Sequence, residues 1–200
     1  MSSSLLEALG PLLEGGTTQQ VSRQLGIDEA QAGTAIQAAV PLILGALQRQ
    51  TSNPGGLDSL AGALDRDHDG SVLDDAGSFL GRGAAVAAGT KILGHVLGGR
   101  KERAAVSLGK STGLDAAKAM QLLAMLAPLV MGALGRAKRQ GPAGGGGLAD
   151  ILGGATRQMD QRSPGLGGAL GRILDADGDG SPVDDLARMA GNLGTLFGRG

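Results

Sequence analysis

The stretch "LGIDEAQAGTAIQAAVPLILGAL" (25–47) returns later in the chain as "TGLDAAKAMQLLAMLAPLVMGAL" (112–134), and this repetition predicts the fold. The offset between the copies is constant at 87 residues, as from Gly26 to Gly113. Apolar residues recur every three to four positions in both copies, which is typical of a helix. We therefore expect a short helix that ends near each glycine and a long helix that begins just after. The other matched positions are Asp28 and Asp115, which are suited to capping the long helices, Pro41 and Pro128, and Gly45-Ala46-Leu47 and Gly132-Ala133-Leu134.

Two aspartate-rich blocks, "LDRDHDGSVLDD" (64–75) and "LDADGDGSPVDD" (174–185), match at an offset of 110 residues. In each block, aspartates at alternate positions are followed by a glycine, which is the pattern of DxDxDG calcium loops. Hard cations need several oxygen ligands on a tightly curved backbone, and a glycine permits the curvature. The predicted metal ligands are Asp65, Asp67, Asp69, Ser71, Asp74 and Asp75 in the first loop, and Asp175, Asp177, Asp179, Ser181, Asp184 and Asp185 in the second.

The end of each block departs from the EF-hand pattern, which has a glutamate at position twelve. Ala76 and Leu186 stand there instead, so the closing ligand is one of the two preceding aspartates in each loop. We predict Ca²⁺ as the cofactor, with Mg²⁺ as the alternative ion, and a structural role for the ion. The alternative is a solvated acidic turn, because Asp and Gly favour turns without any metal.

The difference between the offsets of 110 and 87 residues implies about 23 extra residues in the second copy, in the glycine-rich stretch at about 141–165. We therefore predict an all-α fold made of two copies of a multi-helix unit, 1–85 and 86–200, with one cation loop per copy at 65–75 and 175–185. No sustained period-two alternation predicts a sheet. Aromatic residues are 1% of the chain, so Leu, Ala, Val, Ile and Met must fill the core.

Charge is unevenly distributed between the loops and the body of the protein. Without the two blocks, nine acidic and 17 basic residues remain, a formal charge of about +8 for a chain whose total is −1. Two bound divalent ions would move the total from −1 to +3. Metal binding would therefore be a large electrostatic event for this chain.

Catalysis is not expected from this sequence. The chain has no Cys, and His95 on an apolar helix has no evident partner. The stretch "AAVSLGKST" (104–112) fits a relaxed phosphate-loop pattern, but no strand precedes it and it overlays a helical stretch of the first copy.

Two further classes of function are weighed. Residues 17–37 have the helix–Gly–helix order of a DNA-binding helix-turn-helix, but the second helix begins with Asp28 and Glu29. Residues 30–48 and 119–135 are uncharged and near the lower length limit of a membrane span, although central buried helices explain them better. A DNA-binding regulator and a peripheral membrane protein are thus the alternatives, and neither nucleic acid nor membrane is the expected partner.

Self-association is expected from two features. Gly94 and Gly98 lie four residues apart in "AAVAAGTKILGHVLGG" (84–99), a spacing that suits close helix–helix contact, and a duplicated unit offers similar faces for head-to-tail assembly. A homo-oligomer or an assembly with a protein partner is therefore predicted. The N-terminus lacks the basic region of a secretory signal, so the expected location is the cytoplasm.

Several of these segments together resemble a known bacterial family. They are "LGIDEAQAGTAIQAAVPLILGAL", "LDRDHDGSVLDD", "KILGHVLGGRKERAAVSLGKSTGLD" (91–115) and "LAPLVMGALGR" (126–136). They are similar to the DUF937, or YidB-like, family over roughly residues 15–140. The resemblance implies a small, helical, cytoplasmic bacterial protein and implies no activity. The leading prediction is therefore a calcium-binding, self-associating, non-enzymatic structural or interaction protein.

Overall fold

The computed structural model describes residues 5, 8–10, 15–67, 70–81, 84–140 and 147–162, and over these residues the chain is helical and without strands. The predicted all-α class is thus confirmed. Leu5 and Leu9 are helical and buried ahead of the first bounded helix. The helices are α1 (Gly15–Leu25), α2 (Glu29–Ser52), α3 (Gly56–Asp67), α4 (Ala76–Gly81), α5 (Ala84–Val96), α6 (Lys101–Thr112), α7 (Ala116–Gln140) and α8 (Leu148–Arg162).

The two long helices begin as the aspartate positions predict. The Asp28 carboxylate accepts a hydrogen bond of 2.8 Å from the backbone N–H of Gln31, and the Asp115 carboxylate accepts one of 2.8 Å from that of Lys118. Gly26 precedes α2 with φ +60° and Gly113 precedes α7 with φ +74°, a left-handed conformation that glycine adopts without strain. Both repeats of the quoted stretch therefore have the same short helix, glycine turn and capped long helix.

Helix α7 lies at the centre of the described body. Nearly every side chain from Leu122 to Gly135 is buried, because α2, α5 and α6 all pack against α7. The buried residues from Leu5 to Ala155 form one continuous cluster, in which leucine and alanine predominate. Both predicted units contribute to this cluster, and their predicted boundary at residue 85 falls inside α5.

Helices α5 and α7 approach each other closely at Gly89. A Cβ built on Gly89 would lie 1.6 Å from the carbonyl oxygen of Ala124, so only glycine fits. The prediction based on Gly94 and Gly98 is wrong in its geometry, since α5 ends at Val96 and Gly98 turns with φ +52° outside the helix. These two glycines do not form one helical face.

One further helix boundary differs from the sequence prediction. Helix α3 continues past Leu64 to Asp67, into the predicted cation loop. The glycine-rich stretch contains α8, which packs against α2.

Length and composition alone would allow two of the described helices to cross a membrane. They are α2 and α7, whose most apolar windows are 56% and 78% buried inside the body. The core helices of a soluble protein show burial of this kind as well.

Candidate functional site

Residues 70–75 of the first acidic block form a turn that leads into α4. Gly70 takes the left-handed conformation with φ +84°, and a single 3-10 turn, Ser71–Leu73, follows it. The backbone N–H of Leu73 donates to the Gly70 carbonyl at 3.1 Å, and that of Asp74 donates to the Ser71 carbonyl at 3.1 Å. The glycine at position six of the predicted loop is therefore needed for the turn, as the sequence pattern indicates.

This turn rests directly on the central helix α7. A Cβ added to Gly70 would lie 2.9 Å from the carbonyl oxygen of Gly132, and one added to Gly132 would lie 2.6 Å from a methyl group of Val72. The two glycines thus allow the loop backbone and the helix to make van der Waals contact. Leu73 anchors the turn, because its side chain is buried in the core cluster.

Two basic side chains from the last turns of α7 hold the loop. The Arg136 guanidinium donates to the Gly70 carbonyl at 2.8 Å and pairs with the Asp74 carboxylate. The Lys138 ammonium donates to both oxygens of the Asp65 carboxylate, at 2.7 and 2.9 Å. We call these two side chains, Arg136 and Lys138, the basic clamp. The protein therefore supplies its own cations to two of the predicted metal ligands.

The clamp pairs lie at the surface. The Asp65 and Asp74 side chains are 66% and 69% exposed, whereas Lys138 and Arg136 are 31% and 28% exposed. Pairs this open to solvent contribute about 0–1 kcal/mol each, because water screens their attraction. A competing cation in solution can reach both carboxylates.

Asp75, a candidate closing ligand, has a second role. Its carboxylate accepts a hydrogen bond of 3.2 Å from the backbone N–H of Ser78, and its carbonyl accepts one of 3.0 Å from that of Phe79. Asp75 therefore caps the N-terminus of α4. A capping carboxylate retains one oxygen for another partner.

The predicted ligands do not all fall within the part of the structure that is described. Asp69 lies outside it, as does the second loop at 175–185, with Asp175, Asp177, Asp179, Ser181, Asp184 and Asp185. Among the described residues, no group of three or more His, Cys, Asp or Glu is arranged to hold a metal ion. The side chain of Asp67, at the end of α3, also lies outside the described part.

The stretch that resembles a phosphate loop has a structural explanation. Residues 104–112 are helical in α6, and the exposed Lys110 follows the buried Gly109. A Cβ on Gly109 would lie 2.5 Å from the carbonyl oxygen of Leu114, so this glycine allows the turn into α7. The Ser111 hydroxyl donates to the Leu108 carbonyl at 2.9 Å within the helix.

The helix-turn-helix order is present in α1 and α2, but α2 offers little surface for reading DNA. Ala32, Ala35 and Ile36 are buried, and the exposed first turn carries the carboxylate of Glu29. A recognition helix presents its N-terminal residues to base edges, where a carboxylate faces the negative backbone.

His95 is exposed, with its Nδ1 atom 3.0 Å from the Lys91 carbonyl oxygen.

The basic clamp is the feature that sequence reasoning missed. Five aspartates within residues 64–75 repel one another unless positive charge lies nearby. The available signal was the position of Arg136, Lys138 and Arg139, which end α7 directly after its uncharged stretch. Cations are favoured at helix C-termini, and here the same cations face an acidic loop.

Comparison with known proteins gives one result. Residues 7–137 match the family described as "Bacterial protein of unknown function (DUF937)". No curated protein and no solved structure matches the chain. The match extends over α1 to α7 with the first acidic loop and its basic clamp at Arg136, and covers more than half of the chain. The protein therefore belongs to the DUF937 family of bacterial proteins of unknown function.

Proposed function

We propose that this protein is a cytoplasmic, non-enzymatic, calcium-binding structural or interaction protein with one ion per acidic loop, in which the ion at the first loop exchanges with the basic clamp. The observation that carries the proposal is the contact of the Lys138 ammonium with both oxygens of Asp65. The Lys138 ammonium already pairs with this carboxylate, so the loop requires positive charge nearby. Because both side chains of the pair reach solvent, an ion from solution can replace the ammonium.

The exchange is supported by the ligands that the clamp holds. Asp65 and Asp74 are both predicted calcium ligands, and each is bound by a side chain of α7. Ca²⁺ takes about six to eight oxygen ligands, so a single Lys and a single Arg do not replace its coordination. Binding would release Lys138 and Arg136 from these two carboxylates. Calcium would in this way couple the end of α3 to the end of α7.

The proposal includes a duplicated unit with one such loop in each copy. Its support is the matching geometry of the two capped helices, including the hydrogen bonds of Asp28 and Asp115 at the same relative position.

The proposal also includes self-association, which is supported by two exposed large apolar side chains, Val106 at 44% and Leu57 at 39%. Light scattering at several protein concentrations, with and without calcium, tests this part. A constant monomer mass would contradict it.

Calorimetric titration of EDTA-treated protein with Ca²⁺, and separately with Mg²⁺, tests the central proposal. Two binding events are expected for the unmodified chain. The pair Asp65→Asn and Asp69→Asn should remove one event, and the pair Asp175→Asn and Asp179→Asn should remove the other. The matched control is Asp58→Asn with Asp150→Asn, which removes the same charge from exposed positions on α3 and α8. Absence of heat with either ion, or equal loss in the control, would contradict calcium binding.

A further inference from the structure

The docking of the first loop on α7 has a sequence counterpart on α2. The loop contacts Gly132 and is held by Arg136, one helical turn further along. The offset of 87 residues that relates the two long helices places Gly45 and Arg49 at the corresponding positions of α2. We call the face of α2 that carries Gly45 and Arg49 the second docking face. It has the same small residue and the same guanidinium, four residues apart.

The segment that would occupy this face is present later in the chain. At the offset of 110 residues, Pro164-Gly165 corresponds to Pro54-Gly55, which precede α3. The matched positions beyond them are Leu60 and Leu170, Leu64 and Leu174, Gly70 and Gly180, and Asp74 and Asp184. Residues 164–185 thus correspond in position to α3 and the first loop of the first copy, with the closest identity in the acidic block.

We propose that residues 164–185 dock on the second docking face, with Gly180 against Gly45 and Asp184 against Arg49. This inference rests on the duplication in the proposed function. The first loop belongs to the first unit but rests on α7 of the second unit. The second loop would rest on α2 of the first unit. Each unit would then be held by the acidic loop of the other unit.

The described surroundings of the second docking face fit an additional occupant. Gly132, Ala133 and Gly135 are buried, whereas the corresponding Gly45, Ala46 and Gln48 are only half-buried. Among the described atoms, none lies within 4 Å of a Cβ built on Gly45, while Val72 lies 2.6 Å from one built on Gly132. Over the described residues, the face is therefore less covered than its counterpart on α7.

The path of the chain leads to the same face. Helix α8 packs against α2, and a Cβ on Gly153 would lie 3.7 Å from the Gln48 side-chain nitrogen. Helix α8 ends at Arg162, two residues before Pro164. A chain extends by up to about 3.3–3.6 Å per residue, so the acidic block is within easy reach of Gly45 from this point.

The second docking face carries fewer basic residues than the end of α7 that holds the first loop. Lys138 and Arg139 correspond to Thr51 and Ser52, so Arg49 is the one basic residue that the second face retains from this group. The second loop also has five aspartates, as the first does.

Hydrogen exchange measured by mass spectrometry on the full chain in EDTA tests the docking without involving calcium. Gly45→Leu should speed amide exchange across 164–185 by about tenfold, which corresponds to about 1.4 kcal/mol of docking free energy. Gly132→Leu should do the same across 64–75. Gly94→Leu is the control, because Gly94 is a helical glycine with no described atom within 4 Å of an added Cβ. Unchanged exchange across 164–185 in Gly45→Leu would overturn the proposal.

Reversal of the two charges tests the docking even if Gly45→Leu fails to fold. Arg49→Asp and Asp184→Arg should each speed exchange across 164–185, and the double variant should restore slow exchange. Arg136→Asp with Asp74→Arg is the corresponding test of the first loop. Additive single effects, or protection that falls on dilution of the protein, would refute docking within one chain. Calorimetry with calcium fails or succeeds independently of these results, so calcium binding and docking are judged separately.

Discussion

Gly70 and Gly132 meet face to face: the Cα atom of Gly70 lies 3.5 Å from the position that a Cβ on Gly132 would occupy. One glycine forms the turn of an acidic loop, and the other lies in the middle of the most buried helix. Their contact brings the loop carboxylates to the basic end of α7. A change in the loop is therefore transmitted to the core helix through backbone contact.

Replacement of Gly132 by alanine should lift the first loop from α7. The new methyl group would lie 2.6 Å from Val72, and such overpacking costs about 1–3 kcal/mol. The gain in helix propensity of up to about 1 kcal/mol offsets part of this cost. Urea unfolding should give a lower midpoint for Gly132→Ala. Gly94→Ala should be neutral or stabilising, and a lower midpoint for that control as well would refute the steric explanation.

Gly89→Ala should be more destabilising than Gly132→Ala, because the clash is with backbone. Its Cβ would lie 1.6 Å from the Ala124 carbonyl oxygen, and neither helix can yield by a side-chain rotation. We expect a loss of about 3 kcal/mol, at the upper end of the range for overpacked cores. Circular dichroism during urea unfolding measures it. A variant as stable as Gly94→Ala would show that α5 and α7 are not in contact at Gly89.

Much of the helical arrangement could be predicted from sequence because its signals are local. The glycine and aspartate at 26 and 28, and again at 113 and 115, act within one turn of their own positions. Helix type and capping follow directly from such neighbours. The end of α3 was harder, because its extension to Asp67 depends on how the following turn is held against another helix.

The clamp of the acidic loop could not be predicted in the same way. Asp65 and Lys138 are 73 residues apart, and neither residue type specifies the other over that distance. The density of aspartates in the first block indicates only that positive charge is needed nearby. Whether the compensating cation is a side chain or an ion depends on the packing of α7 beneath the loop, which is a tertiary contact.

The two aspartate caps should contribute similar amounts to stability. Asp28→Ala and Asp115→Ala each remove a carboxylate that accepts a backbone hydrogen bond in the first turn, a loss of about 1 kcal/mol. Asn is an equally good cap, so Asp28→Asn and Asp115→Asn should be nearly neutral. Thermal or urea unfolding of the four variants measures the difference. Equal destabilisation by Ala and Asn would indicate that charge, and not the cap, is responsible.

Removal of the lysine of the basic clamp should strengthen calcium binding at the first loop. Lys138 holds both oxygens of Asp65, so an ion must displace it before that carboxylate can serve as a ligand. The Asp65 side chain is 66% exposed, so its pairing with Lys138 contributes about 0–1 kcal/mol. Loss of this competition in Lys138→Gln should therefore raise the calcium affinity by at most about fivefold. Lys110→Gln removes the same charge from an exposed position on α6 and is the control. Calorimetry at fixed ionic strength should show tighter binding for Lys138→Gln than for Lys110→Gln. Equal affinities would mean that Lys138 does not compete with the ion, and weaker binding in Lys138→Gln would mean that the clamp supports the ion-binding form of the loop.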